Sequence, residues 1–401
     1  MGNEFRLSKK RIEQLTQEYG SPLYVYDEET LRTRCREMRS LVDYPNFKPN
    51  YSAKANTNIE LLKIIRSEGF YVDAMSPGEI VLEEAAGFVP EEILYISNNV
   101  TAEEMRFAVD RGITVSVDSL SQLETFGRHF QGKRVAVRLN PGIGDGHNEK
   151  VVTGGKSKFG IELKEIAAVK KIAERYDLLI VGINQHVGSL FLEGSRFVDA
   201  CRNLLVAAKE FTELEFIDLG GGFGVPYQGE DRLDLEQLSL QLQQVINVFI
   251  KEYPNKKLEI KIEPGRYVVA ECGILIGRVN SIKVNYGEKY VGTDIGFNVL
   301  MRPVLYDSYH EIIVYNEEAG EEKVTVVGNI CETGDIIAKN RNLPVMNEGD
   351  YIVIETAGAY GYSMSSNYNA RLRPAEVLIG LDGTDRLIRR RDTLEDLVRQ
   401  L

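Results

Sequence analysis

Lys54 stands in the stretch Tyr51-Ser52-Ala53-Lys54-Ala55-Asn56, between Phe47-Lys48-Pro49-Asn50 and a helix-like run from Ile59 to Arg66. A lysine that ends a short strand can offer its amine to a carbonyl compound and form an imine. An isolated lysine is by default a solvated loop residue, so this one gains weight only from its company. Asp218-Leu219-Gly220-Gly221-Gly222-Phe223-Gly224 carries glycines that let the backbone approach an anion with its N–H groups aimed at it. His186-Val187-Gly188-Ser189 offers an imidazole face for a flat ring and a hydroxyl for a phosphate. Glu263-Pro264-Gly265-Arg266 offers a carboxylate, and Gly265 a further N–H. Each has a plain alternative: a glycine turn, a satisfied core histidine, a Glu–Arg pair at a rim.

Bringing these groups together takes a scaffold. From residue 28 to residue 270 the pattern is apolar strand, polar turn and helix, repeated. The strands read as Asn50–Ala53, Tyr71–Ala74, Ile93–Ile96, Thr114–Val117, Arg134–Leu139, Leu178–Ile183, Glu215–Leu219 and Glu259–Ile262. Helices fall between them at Pro77–Ala86, Ala102–Arg111, Leu120–His129, Leu163–Arg175, Gly194–Leu214 and Leu233–Glu252. The alternation predicts an α/β fold with a closed (β/α)8, TIM-type barrel. An open sheet would carry its phosphate glycines after the first strand, and none are there.

Lys54, Ser76, Asn98, Asp118, Asn140, His186, Gly220 and Glu263 each come at or just past the C-terminal end of a successive strand. Barrel active sites sit on that rim, with phosphate after strands seven and eight. A phosphate there, a lysine for an imine and a carboxylate for a pyridine nitrogen together match pyridoxal phosphate chemistry.

Before the barrel, Pro22–Tyr26 reads as a strand, and Glu28 to Val42 as a helix capped by Asp27. After about residue 270 the texture turns β-rich, with strands at Gly273–Val284, Glu311–Val314, Lys323–Val327, Tyr351–Glu355 and Glu376–Leu381. This is a second, mostly antiparallel domain, ending from Arg386 in a charged tail with a final strand and a short helix.

The 401 residues are 43% hydrophobic and 27% charged, an ordinary globular composition with ample chain for a core. A net charge of -12 argues against nucleic acid and anionic membranes as partners. Met1 to Arg11 has no apolar core of a secretory signal, and Arg6 stands where a myristoylation start wants Ser or Thr. No apolar run is long enough to span a bilayer, so a cytoplasmic location is expected. Cys35, Cys201, Cys272 and Cys331 lie far apart, and His129, His147, His186 and His310 lack metal spacing, so neither disulfides nor a metal site is expected.

Ala53-Lys54-Ala55-Asn56, His186-Val187-Gly188-Ser189, the glycine run, Glu263-Pro264-Gly265-Arg266, Cys331-Glu332 and Gly358-Ala359-Tyr360 occur in an order that resembles the decarboxylases of the alanine racemase fold. Over nearly its whole length the chain is similar to the diaminopimelate decarboxylases, pyridoxal 5'-phosphate enzymes of fold type III. The resemblance implies that Lys54 holds the cofactor as an imine and that Asp73 lies beside it. Ser189, Gly220, Gly221, Gly222, Gly265, Arg266 and Tyr360 would bind the cofactor, with His186 and Glu263 at its ring. It also implies a β-domain formed from residues 1–27 and 271–401, and a homodimer whose partner completes each site through Cys331 and Glu332.

In that reading Cys331 returns the proton after carbon dioxide leaves, a task a thiol with a tunable pKa suits. Arg302, Arg266 and Tyr306 grip the far carboxylate of an amino-acid substrate, Glu332 takes its far ammonium, and Tyr360 lies near it. The implied reaction is meso-2,6-diaminopimelate to L-lysine and carbon dioxide, the last step of lysine biosynthesis. The alternative is a decarboxylase of ornithine, lysine or a carrier-bound amino acid on the same fold. A racemase would place an arginine at the ring nitrogen, and a single-barrel cofactor carrier would lack the β-domain. Two features depart from the family: Asn329 replaces a proline before Cys331, and Gly142 to Lys158 is a glycine-rich loop of its own kind, expected to be mobile over the site.

Overall fold

The structure, a computed structural model, describes residues 5–146, 152–255, 257–316 and 318–399. It divides into two compact units: Arg34–Val225 with Asp231–Val268, and Met1–Thr33 with Pro226–Glu230 and Val269–Leu401.

The first unit is the barrel. Its strands are β1 (Phe47–Ser52), β2 (Tyr71–Ala74), β3 (Ile93–Ile96), β4 (Thr114–Val117), β5 (Arg134–Asn140), β6 (Leu179–Asn184), β7 (Phe216–Gly221) and β8 (Glu259–Glu263). All pair in parallel with their sequence neighbours, and β8 returns to β1, which closes the sheet. β1 begins three residues earlier than its sequence predicts, because Pro49 reads as a strand breaker. Its register explains the tolerance. Phe47, Lys48 and Pro49 pair with β8, while Asn50, Tyr51 and Ser52 pair with β2, so the residue without a donor falls at the hand-over.

One of the rim residues, Ser76, turns out to start a helix, as do three residues outside the series. The side chains of Ser76, Thr101, Ser119 and Asp234 accept the N–H of Glu79, Glu104, Gln122 and Gln237. Such caps contribute about 1 kcal/mol each. Asn140 is scaffold as well, since its amide binds the backbone of Gly142, Gly155 and Phe159 and pins the glycine-rich loop. That loop is also tied to the next strand end. Asp145–Gly146 pairs with Gly188–Ser189, and Thr153 Oγ1 donates to the His186 carbonyl. Residues 147–151 of the loop lie outside the described residues.

One barrel helix buries a carboxyl group without an evident reward. Glu83, on the helix Pro77–Ala85, is fully buried, and neither carboxyl oxygen has a hydrogen-bond partner among the described residues. Burial, with Asp73 and Glu79 nearby, pushes its pKa up to about 9. The folded chain therefore holds this proton while the unfolded chain gives it up near the ordinary carboxylate value. Stability falls as pH rises through that window, by about 3 kcal/mol at neutral pH. Replacing Glu83→Leu should raise stability by about 1–3 kcal/mol at neutral pH, with a gap that widens from about pH 5 to pH 8. Thermal melts across that range test it; a gap independent of pH would mean that Glu83 is partnered in the folded chain.

The second unit is built on one long strand, Gly273–Asn285, which pairs with Leu23–Asp27, Glu288–Thr293 and Tyr351–Ile354. The sheet is mostly antiparallel, with parallel pairs between Leu23–Asp27 and Ala375–Ile379 and between Glu288–Thr293 and Glu321–Val327. Strands Glu288–Thr293 and Ile336–Pro344 were not expected; their polar alternation reads as turn-rich connection. The helix Lys9–Tyr19 was also missed, because only Ile12, Leu15 and Thr16 of its eleven residues are buried. Ile12 and Leu15 pack on Leu23, Val25, Ile274 and Val377 of the sheet. The tail forms the strand Asp385–Arg389 and the helix Leu394–Val398. No helix among the described residues is long and apolar enough to cross a membrane.

Candidate active site

Lys54 sits on a single 3-10 turn, Ala53–Ala55, directly after β1. The buried Asp73 of β2 fixes that turn from below. Ser52 Oγ donates to Asp73 Oδ2 at 2.9 Å, and the Ala53 N–H reaches Oδ1 at 3.3 Å. Burial raises Asp73 to about 7, against the pull of the Lys54 charge and the Ser52 hydroxyl. Glu79, at the start of the next helix, is also raised by burial and also feels Lys54.

His186 follows β6. Burial first, then the charges of Lys54 and Arg138, hold its pKa well below the usual imidazole value. The ring is therefore neutral, and the Gly221 N–H donates to Nδ1 at 3.2 Å, which puts the ring proton on Nε2. Glu263 Oε2 lies 3.7 Å from Nδ1, too far for a hydrogen bond, and a neutral ring makes no ion pair with it.

Glu263 ends β8 and is 4% exposed. Burial, then Asp218 and Asp73, push its pKa well up, while Lys54 and Arg138 oppose them. Its Oε1 has no partner among the described residues. Gly265 must be a glycine, because a Cβ there would lie 2.9 Å from that of Ser52. Arg266 Nη2 donates to Ser189 Oγ at 3.1 Å, joining the segments after β6 and β8.

The glycine run divides its labour. Gly220 and Gly222 have φ of +83° and +112°, where other residues are strained. The Gly220 N–H is taken by Asp218 Oδ1 and the Gly221 N–H by His186, so these two hold protein groups.

The other expected site residues lie in the second unit. Cys331 is exposed, unlike the three buried cysteines, so it is not an apolar core residue. Its N–H donates to Asn369 Oδ1 at 2.7 Å, and Asp335 accepts the N–H of Ile330 and of Phe297. Asn369 holds a left-handed φ of 55°. Glu332 accepts the Tyr368 hydroxyl. Tyr360 is itself left-handed, at φ 57°, a conformation that costs a bulky residue energy and tends to mark working positions.

Arg302 is 1% exposed, so it is no surface cation. Its Nη1 lies 2.7 Å from His310 Nε2, its Nη2 3.4 Å from Ser308 Oγ, and its guanidinium 4.5 Å from the centre of the Tyr227 ring. Tyr306 ends the same short helix, Arg302–Tyr306, half-buried.

Residues 28–270 match the family model described as the pyridoxal-binding domain of pyridoxal-dependent decarboxylases. A diaminopimelate decarboxylase of Methanothermobacter thermautotrophicus is 42% identical over 398 residues, covering 96% of this chain and 92% of that protein. The chain belongs to the pyridoxal-dependent decarboxylases. The Escherichia coli K12 diaminopimelate decarboxylase is 35% identical, covering 98% of this chain and 96% of its own. Among solved structures, a diaminopimelate decarboxylase superposes with TM-score 0.91 at 34% identity, covering 100% of this chain and 97% of that one. The Helicobacter pylori diaminopimelate decarboxylase, solved with L-lysine, gives 0.88 at 32% identity, covering 97% and 98%. These neighbours have the alanine racemase-like fold, a closed barrel with an added, mostly antiparallel sheet.

A pyridoxal-dependent decarboxylase uses pyridoxal phosphate, and the barrel rim suits it. A buried carboxyl with an unpartnered oxygen, as at Glu263, wants a cationic N–H donor, which a protonated pyridine supplies. Beside Lys54, the neutral His186 offers a flat face without competing charge.

Sequence reasoning passed over three contributors. Arg138 of β5 is 8% exposed, stacks 4.6 Å from the centre of Phe159, and acts on Glu263, Asp118 and Asp73. Asp218 and Glu79 complete the ring of buried charge. The signal was present in each: a charged residue inside an apolar strand or at the first turn after one.

Proposed function

We propose that this chain is a cytoplasmic homodimer that converts meso-2,6-diaminopimelate to L-lysine and carbon dioxide. The observation that carries the reading is Lys54 at the barrel rim amid Asp73, Glu79, neutral His186 and the unpartnered oxygen of Glu263. The full-length likeness to diaminopimelate decarboxylases supports the substrate, and so does the relative solved with L-lysine, which would be the product here.

Lys54 would hold pyridoxal phosphate covalently, with Ser189, Gly222, Gly265, Arg266 and Tyr360 at its phosphate and Gly220 and Gly221 shaping the loop. When bound, the cofactor supplies a ring that draws in the electron pair released as carbon dioxide departs. Glu263 keeps a proton at the ring nitrogen. His186 packs on the ring and stays neutral, so it does not compete for that proton. Asp73 and Glu79 stabilise the Lys54 ammonium whenever its nitrogen is set free. Cys331 delivers a proton to the substrate α-carbon, and we assign Cys331 and Glu332 to the partner's site in the dimer. Arg302 and Tyr306, with Arg266, receive the far carboxylate, and Glu332 the far ammonium.

Carbon dioxide release from diaminopimelate, ornithine and lysine, measured side by side, tests the substrate. Turnover of ornithine without diaminopimelate would overturn it. Arg302→Lys keeps the charge but loses the forked donors. We expect KM for diaminopimelate to rise about 10–100-fold, with cofactor content unchanged. Equal loss of cofactor would make Arg302 a structural residue held by His310.

A further inference from the structure

Arg302 begins the short helix Arg302–Tyr306, and the chain turns straight back on it. Asp307 takes a left-handed φ of 53°, a conformation that Asp tolerates, and Ser308 and His310 return beside the guanidinium. His310 Nε2 lies 2.7 Å from Arg302 Nη1, and His310 Nδ1 lies 2.9 Å from the Glu355 carbonyl oxygen. These two contacts fix the state of the ring. An arginine nitrogen only donates, and a carbonyl oxygen only accepts. Nε2 therefore accepts and Nδ1 carries the proton, so His310 is a neutral imidazole in the tautomer opposite to that of His186.

The histidine is itself firmly held. It is buried, and its carbonyl accepts Arg341 Nη2 at 3.1 Å. Tyr227, also buried, forms the other side of the clamp. Its ring centre lies 4.5 Å from the Arg302 guanidinium and 5.2 Å from that of His310, with the two rings at 83°. Glu230 Oε2 pins the segment that carries it by accepting the N–H of Tyr227 and of Gln228. The guanidinium thus has a neutral acceptor at one nitrogen and an aromatic face against it. Both orient the group, and neither cancels its charge as a carboxylate would. With 1% of Arg302 accessible, the angle at which it is held decides whether a donor meets a ligand.

We propose that His310 and Tyr227 are positioning residues for the far end of the substrate. They aim Arg302 at the carboxylate there and leave it its full charge. The site thereby selects an amino acid with a far carboxylate over a diamine of the same length. The inference rests on the reading that Arg302 receives that carboxylate.

L-Lysine keeps the far carboxylate, and cadaverine is L-lysine without it, so the ratio of their affinities reads the carboxylate contacts alone. Both can be titrated into holoenzyme and followed by cofactor absorbance. The unaltered chain should prefer L-lysine. In His310→Leu, which removes the acceptor, the preference should fall at least about 10-fold, the scale of a lost hydrogen bond to a charged group. Cadaverine binding and cofactor content should be kept. His310→Gln, whose amide oxygen can stand in for Nε2, should retain most of the preference. KM for diaminopimelate should follow the same order and change more than kcat. A preference kept in His310→Leu but lost in Arg302→Lys would overturn the inference and leave the role of Arg302 standing. Equal loss of both ligands would also overturn it, since His310 would then only support the fold. No preference in the unaltered chain would overturn the inference together with the reading of Arg302. A second measurement needs no variant: 15N shifts of labelled histidine should show His310 protonated at Nδ1 and bare at Nε2. A ring protonated at Nε2 would overturn the proposal.

Discussion

Lys54→Ala should purify without covalently attached cofactor and lose decarboxylation by about 10³-fold or more, the scale seen when a covalent group is removed from an active site. The expectation follows from where the amine sits. Asp73 holds the turn through Ser52 Oγ and the Ala53 N–H, so the amine has a fixed origin just past β1. The Lys54 charge also restrains its neighbours, because it lowers the pKa of Asp73, Glu79 and Glu263 and that of His186. Without it, the three carboxyls keep their protons to higher pH and the imidazole protonates more readily. Residual cofactor binding should therefore weaken and change its pH dependence. Borohydride reduction of the unaltered holoenzyme followed by peptide mass mapping should find the cofactor on Lys54. An adduct on any other lysine would remove the basis of the proposed function.

Cys331→Ala should lower kcat by about 10²–10⁴-fold, the usual contribution of a positioned proton donor, with little change in KM. Its backbone is placed by Asn369, and the neighbouring Ile330 by Asp335, and neither bond uses the thiol. Deleting the thiol should therefore leave the fold unaffected. Cys331→Ser separates chemistry from shape: a hydroxyl fills the same space but gives up its proton far less readily, so Ser should be slow too. Full activity in Cys331→Ser would show that the position only supports the loop. Mixing Lys54→Ala with Cys331→Ala chains tests the shared dimer site as well. Random reassociation should restore about a quarter of the unaltered activity, since half of the dimers then hold one intact site. No recovery would leave each chain working with its own cysteine.

Much of the barrel was legible because its elements are encoded locally. Runs such as Tyr71–Ala74 and Ile93–Ile96 are bounded by turns and followed by helices with Ser76 and Thr101 as caps. Local propensity and alternation suffice to read such units. The second unit was harder. Its sheet pairs segments far apart in the chain, as Leu23–Asp27 with Ala375–Ile379, and strands such as Ile336–Pro344 have little apolar pattern of their own. The rim series mixed two kinds of residue that sequence cannot separate. Ser76 and Asn140 serve the backbone, whereas the Lys54 charge bears on both His186 and Glu263.

The sequence by itself determined the repeating strand–helix units, the order of its lysine, histidine, glycine and glutamate segments, and through them the family. What only the tertiary structure decided is the state of those groups. Closure of the barrel buried Asp73, Asp218, Glu263 and Arg138 in one place, and desolvation, not residue type, then set which of them hold protons. The shifted register beside Gly221 brought its backbone against that of Glu263, and the fold of the second unit buried Arg302 against His310 while leaving Cys331 exposed. Burial and register are properties of contacts between distant segments, and no local pattern carries them.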